Sequence, residues 1–286
     1  MCTGCCFYCG YNIITETTTI LKTPGSDVCT GWCIRFVGDS ITPTTDPAKP
    51  AVRGQAVVIY CTGLGAVTPI GNDHPTFWRN LVAGVSGGGP ITSFDASRYD
   101  VRIAAEVKDF DPTIAMDRKM ARRMSRFIHF AMAAGKEAVA DAGLDFASWD
   151  ADRRDRVAVT VNTSGGGQEQ VIDGTATLLA KGPGLVSPFA IPALSGSMAA
   201  CQLSMEYGLT GPVTTQVAAC ASSIIAFGDA LRMIQRGEVD VVIAGGSEAP
   251  LLPVAFAALA NMGALSKRND DPAHASRPFE IGRAHV

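Results

Sequence analysis

The sequence predicts a layered α/β fold whose strands form a sheet covered on both faces. Three observations lead there. Short apolar runs of strand length alternate with segments of helical period. The strand runs are continuously apolar rather than alternating, as strands buried on two sides must be. The 30 glycines sit among these runs, where they mark tight turns and close backbone approaches rather than disorder.

The elements follow in order. Val57-Val58-Ile59-Tyr60 reads as a strand closed by Thr62-Gly63-Leu64-Gly65. A helix over 75–82 carries Phe77, Trp78, Leu81 and Val82, with Gly84 as its stop. One long helix is expected from Arg118 to Ala142, its first half basic through Arg118, Lys119, Arg122, Arg123 and Arg126. Arg156–Val161 is a strand leading into the turn Asn162–Gly167. Val213–Ala218 is a strand, Ala221–Arg236 a helix and Asp240–Ala244 a strand that ends in Gly245-Gly246-Ser247-Glu248. In the helix, Ile224, Phe227, Leu231 and Ile234 share one face and are expected to bury it.

Bulk properties exclude some classes. Hydrophobic residues make up 47% of the 286 and charged residues 18%, enough for a sizeable core. The net charge of -3 gives no sign of a general nucleic-acid binder. No apolar run reaches the roughly 20 residues of a membrane helix, and the N-terminus lacks a secretion-signal layout. A cytoplasmic protein is the expectation.

Cysteine usage divides the chain. Six of the nine cysteines lie in the first 33 residues: Cys2, Cys5, Cys6, Cys9, Cys29 and Cys33. Residues 1–50 are Thr- and Cys-rich, without sustained periodicity, and Thr42–Pro50 reads as a linker. They are expected to form a disordered extension, followed by one domain over 51–279. Cys6-x-x-Cys9 and Cys29-x-x-x-Cys33 have zinc-like spacing, so a non-enzymatic zinc-binding protein is the rival from another class.

Cys220 is the candidate nucleophile. It falls between a strand and a helix, flanked by Ala219, Ala221, Ser222 and Ser223, which let the turn be tight and a substrate approach. At a helix N-terminus the unpaired N–H groups and the dipole favour a thiolate, and the same groups can hold an oxyanion. The competing reading of a strand–Cys–helix pattern is a small buried hydrophobe. Cys61 and Cys201 lack the small-residue turn and read as core.

The wider context resembles the β-ketoacyl-acyl carrier protein synthase family. Val57–Gly71 is similar to its opening strand and "TGLG…TPxG" turn. Phe77-Trp78, Leu81–Gly84, Ser187-Pro188-Phe189 and Ile191-Pro192 follow in order. Gly211-Pro212 leads to Ala218-Ala219-Cys220-Ala221-Ser222, then Ala244–Glu248, Ala264-Leu265-Ser266 and Ser276–Phe279. The resemblance spans about residues 56–279.

It implies a thiolase-like layered α-β-α fold, here the N-terminal half. It also implies an acyltransferase of fatty acid synthesis that is usually a homodimer. Cys220 would take an acyl chain from acyl carrier protein. Malonyl-acyl carrier protein would lose CO2, and its carbanion would attack the thioester. Acyl and malonyl thioesters are thus the implied substrates, with no cofactor and no metal. A polyketide-type ketosynthase or another thiolase-fold acyltransferase is the rival within the class. Lys119, Arg122 and Arg123 map onto the family's carrier-docking patch, although an ordinary solvated helix face would look the same. Gly165 stands where relatives carry a branched apolar residue, so it and Phe189 are expected to line the acyl pocket, deepened by the missing side chain.

Two histidines, a lysine and a glycine-rich loop complete the family's condensing chemistry, and none has a match here. His74, His129, His274 and His285 fall in no matching motif and read as structural or solvated. Residues 280–286 read as a non-native tail. A truncated fragment, inactive in condensation and prone to aggregate through uncovered apolar surface, is therefore expected.

Overall fold

The computed structural model describes residues 16–22, 33–35 and 58–277. Its strands are β1 (Glu16–Lys22), β2 (Cys33–Arg35), β3 (Val58–Val67), β4 (Gly88–Pro90), β5 (Ile103–Ala105), β6 (Val157–Asn162), β7 (Val213–Thr214) and β8 (Val241–Gly246). Its helices are α1 (His74–Val82), α2 (Arg118–Ala121), α3 (Arg126–Asp141), α4 (Ala151–Asp155), α5 (Gln168–Lys181), α6 (Ala190–Leu194), α7 (Met198–Tyr207), α8 (Ser222–Gln235) and α9 (Pro253–Asn261). The main sheet runs β2-β3-β1-β8-β6-β7, and β4 and β5 form a separate antiparallel pair.

The strands that carry the site are parallel. β6 pairs with β8 from Val157 opposite Val241 to Asn162 opposite Gly246, and with β7 on its other side. Every residue of β6 and β8 is buried. Their alternation sorts two cores. Val157, Val159, Val161, Val241 and Ile243 pack with Phe127 and Ile128 of α3 and Leu203 of α7. Ala158, Val242 and Ala244 point the other way, onto Ala230 and Met233 of α8. The sheet is thus covered on both faces, as the apolar runs predict. Phe127 and Ile128 are fully buried, each worth about 1.5–3 kcal/mol of transfer free energy.

Several elements depart from the sequence reading. β3 does not end at Tyr60 but continues to Val67. Gly63 and Gly65 serve close approach, not a turn: a Cβ at Gly65 would lie 1.9 Å from the Ala134 carbonyl oxygen of α3, and one at Gly63 2.1 Å from that of Ala138. The long basic helix is two helices, broken between Ala121 and Arg126. The strand expected over 213–218 keeps only Val213–Thr214. The buried face of α8 is Ser222, Ala226, Ala230 and Met233, whereas Ile224 is 54% exposed. Small residues face the sheet because the helix lies close to it: a Cβ at Gly246 would meet Ser223 Oγ at 1.9 Å.

Residues 1–50 also differ from expectation. β1 and β2 fall within them, and β1 sits between β3 and β8, antiparallel to both. The zinc-like cysteines lie outside the described residues, except that the Cys33 backbone belongs to β2. Residues 280–286 lie outside them as well.

Candidate active site

The carboxyl ends of parallel β6, β7 and β8 open on one edge of the sheet, where α/β folds place ligands. Three segments leave that edge: Thr163–Gly167 after β6, the stretch to Cys220 after β7, and Ser247-Glu248 after β8.

Cys220 lies in a single 3-10 turn, Ala219–Ala221, that runs into α8. It is exposed, and it takes part in no disulfide. The bland alternative, a small buried hydrophobe, does not describe this position. Ala219, just before it, has φ +49°, a left-handed conformation that an alanine adopts only when its surroundings impose it. No side chain caps the 14-residue α8, and its first N–H, that of Ser222, donates to the Ala219 carbonyl in the turn that carries the thiol. Cys201 sits on α7 and is partly buried.

The turn is tied to β6. Gln216 N–H donates to Asn162 Oδ1 at 2.8 Å, and Asn162 Nδ2 donates to the Ser222 carbonyl at 2.9 Å. The Ser222 hydroxyl accepts from Ala218 N at 3.0 Å and lies within donating distance of the Ala219 and Thr163 carbonyls. Sequence reasoning missed Asn162, which belongs to no chemical motif, and read Ser222 only as a small residue of the Cys220 motif. Their signal was position alone, at a strand end and a helix start.

Gly165 lies in the loop after β6. Its N–H donates to Glu248 Oε2 at 2.6 Å, as do Ser164 N at 2.7 Å and Thr163 Oγ1 at 3.0 Å. Glu248 therefore fixes this loop from the end of β8. A Cβ on Gly165 would meet the Gln168 amide nitrogen at 2.5 Å, so a flexible side chain stands where open space was expected. A cavity of about 600 Å³ lies beside the anchor, lined by Glu106, Lys108, Arg126, Phe130, Glu169 and Glu248 among others. Cys220 is not among its lining residues.

Lys119 lies in α2, and Arg122 and Arg123 occupy the break between α2 and α3. Lys119 and Arg122 are exposed. Arg123 is partly buried, its guanidinium 4.3 Å from the ring centroid of Phe189. Ser125 Oγ donates to the Ala193 carbonyl at 2.7 Å, a second tie between this turn and the 189–194 segment. The Gly167 N–H donates to the Leu194 carbonyl at 3.1 Å. The structure thus joins the basic turn, Phe189 and the loop of Gly165 into one connected wall.

His129 and His274 each make a side-chain contact within the fold. His129 Nε2 donates to the Ala121 carbonyl at 2.8 Å, and burial pushes its ring towards the neutral form. His274 Nδ1 lies 2.9 Å from Asp271 Oδ1. Among the described residues no cluster of His, Cys, Asp and Glu could hold a metal ion, and no helix is long and apolar enough to cross a membrane.

Comparison with known proteins adds to this geometry. The profile of the family described as "Beta-ketoacyl synthase, N-terminal domain" matches residues 56–284. A 3-oxoacyl-[acyl-carrier-protein] synthase 2 of Synechocystis sp. is 45% identical over 225 residues, 79% of this chain and 53% of that protein. The enzyme of the same name from Staphylococcus aureus is 42% identical over 229 residues, 80% of this chain and 54% of its own length. Among solved structures, a beta-ketoacyl synthase from Burkholderia phymatum superposes with TM-score 0.67 at 30% identity, over 78% of this chain and 54% of that one. The fold is that of the ketosynthases, thiolase-like. The chain spans about half the length of the curated relatives it matches.

Proposed function

Because the chain belongs to the beta-ketoacyl synthase family, we propose that Cys220 is the acyl-accepting nucleophile of a 3-oxoacyl-acyl carrier protein synthase of fatty acid synthesis. The Cys220 thiolate attacks the carbonyl of an acyl thioester, and the carrier's thiol leaves with the proton. In the whole protein, malonyl-acyl carrier protein then loses CO2. The resulting carbanion attacks the Cys220 thioester, forms the new C–C bond and releases the cysteine.

One observation carries this reading. Cys220 is exposed on a tight turn at the uncapped start of α8, beside the carboxyl ends of three parallel strands. A structural cysteine would be buried. The names of the relatives at 42–45% identity support fatty acid elongation over its rival. That rival is a polyketide-type ketosynthase, favoured by a TM-score of 0.66 to the ishigamide ketosynthase/chain length factor at 30% identity.

The partner is acyl carrier protein, met through Lys119, Arg122 and Arg123 on an otherwise acidic chain. Val171, Leu178 and Leu179 of α5 and Ile191 of α6 are exposed apolar residues, which supports a second copy as a further partner. The working compartment is the cytoplasm, and the domain occupies residues 51–279.

Incubation with acyl-acyl carrier protein followed by peptide mass spectrometry tests the proposal. The Cys220 peptide should gain one acyl mass, and Cys220→Ser should abolish the gain. Acylation spread evenly over Cys220 and Cys201 would overturn it.

A further inference from the structure

We propose that Asn162 and Ser222 are positioning residues that hold the Cys220 turn in its reactive shape. The inference rests on Cys220 being the acyl acceptor, and deepens that reading.

Asn162 ends β6 and is fully buried. Its amide makes one hydrogen bond to each side of the cysteine. Oδ1 accepts from Gln216 N–H at 2.8 Å, and Nδ2 donates to the Ser222 carbonyl at 2.9 Å. The arc from 216 to 222 is therefore closed at both ends by one planar group. Only an amide side chain supplies an acceptor and a donor together at this reach. A carboxylate would accept twice, and an aliphatic residue would do neither.

Ser222 acts inside the arc. Its hydroxyl accepts from Ala218 N at 3.0 Å, with the Ala219 carbonyl at 2.8 Å and the Thr163 carbonyl at 3.0 Å sharing its single proton. The first two contacts bracket Ala219, the residue at φ +49°. An alanine leaves that region readily unless held. The hydroxyl holds the 217–218 peptide before Ala218 and the 219–220 peptide after Ala219, and the left-handed turn presents residue 220 outward. Ser222 is itself 5% exposed, so its bonds are shielded from competing water.

A merely structural role would loosen the whole domain. A positioning role acts at Cys220. Alkylation of the chain by iodoacetamide, mapped by mass spectrometry, separates the two through the rate at Cys220 relative to that at Cys201 on α7. Asn162→Ala and Ser222→Ala should each lower this ratio about fivefold, the size set by one net hydrogen bond. Ser222→Thr, which keeps the hydroxyl, should restore it. An unchanged ratio in both alanine variants would overturn the proposal. If Asn162→Ala shows no cooperative melting, the Ser222→Ala and Ser222→Thr pair decides alone. Acyl transfer to the parent chain is scored separately. A parent that alkylates at Cys220 but never accepts an acyl group refutes the function and not the positioning. An acylating parent with flat ratios refutes the positioning only.

Discussion

Arg123 stacks its guanidinium over the ring of Phe189, 4.3 Å from the centroid. The residue pair links the basic turn between α2 and α3 to the segment that enters α6. A partly exposed cation–π pair is worth about 0.5–1 kcal/mol. A double-mutant cycle in urea unfolding should therefore return that coupling between Arg123→Lys and Phe189→Leu. Lysine keeps the charge but loses the planar stack. Strict additivity would show that the two side chains do not support one another.

Lys119 and Arg122 are exposed and differ from Arg123 in making no stack on Phe189. Reversing both charges, Lys119→Glu with Arg122→Glu, should weaken binding of acyl carrier protein and flatten its salt dependence, with little change in melting temperature. Binding measured across a salt series checks this. Equal affinity and equal slope in parent and variant would remove the docking role.

How much of this was legible beforehand differs by element. The buried strands 157–162 and 241–246 were plain, because both faces of the sheet are covered and the apolar runs are continuous. The helix break at 122–125 was not, since no glycine or proline marks it. Buried Ser125 makes a long-range bond to Ala193 there, and tertiary contact overrides propensity. The strand after Val213 ends early for a similar reason. Thr215 Oγ1 bonds the Val161 carbonyl and Gln216 N–H bonds Asn162, so side chains replace the ladder. In the first 50 residues, Thr17-Thr18-Thr19-Ile20 carried a β-branched signal that Cys and Thr richness obscured. The tight turn that exposes Cys220 was legible through its small neighbours. The clamp around it was not, because it is built from residues distant in sequence.

Gly65 tests the packing of β3 on α3. A Cβ there would sit 1.9 Å from the Ala134 carbonyl oxygen, and backbone cannot swing aside. Gly65→Ala should cost about 3 kcal/mol or more in urea unfolding. Gly143→Ala in an open surface turn, where a Cβ meets nothing within 4 Å but φ is +64°, should cost less, through strain alone. Equal losses at the two sites would mean that close approach is not what β3 requires of residue 65.

Two carboxylates should give opposite pH dependences. Glu137 accepts from Ala66 N at 2.9 Å and His74 N at 2.7 Å, yet burial raises it above its ordinary 4.5. The folded state then holds the proton more tightly, so its contribution is present below 4.5 and lost as pH rises through the raised value. Glu106 is also buried, which raises it, but bonds from Ser93 and Thr92 outweigh burial and lower it overall. Its contribution is present above 4.5 and lost as pH falls through the lowered value. Unfolding free energy measured against pH should flatten above 4.5 in Glu137→Gln and below it in Glu106→Gln. Parallel curves for parent and variants would contradict both signs.

Gly165 decides whether the loop after β6 sets acyl-chain length. Only the end of the flexible Gln168 side chain opposes a Cβ there, and no positive φ forbids one. Gly165→Ile should therefore fold, with Gln168 displaced outward. The loop keeps its shape because Glu248 holds the backbone N–H groups of Ser164 and Gly165 rather than any side chain at 165. If Gly165 and Phe189 share the acyl pocket, a branched side chain shortens it. Acylation of Cys220 by long-chain thioesters should then slow relative to short-chain ones, a methylene-sized step being worth about 1 kcal/mol. Competition between acyl thioesters of different length, read at the Cys220 peptide, measures the ratio. The same preference in parent and Gly165→Ile would place the chain-length determinant elsewhere.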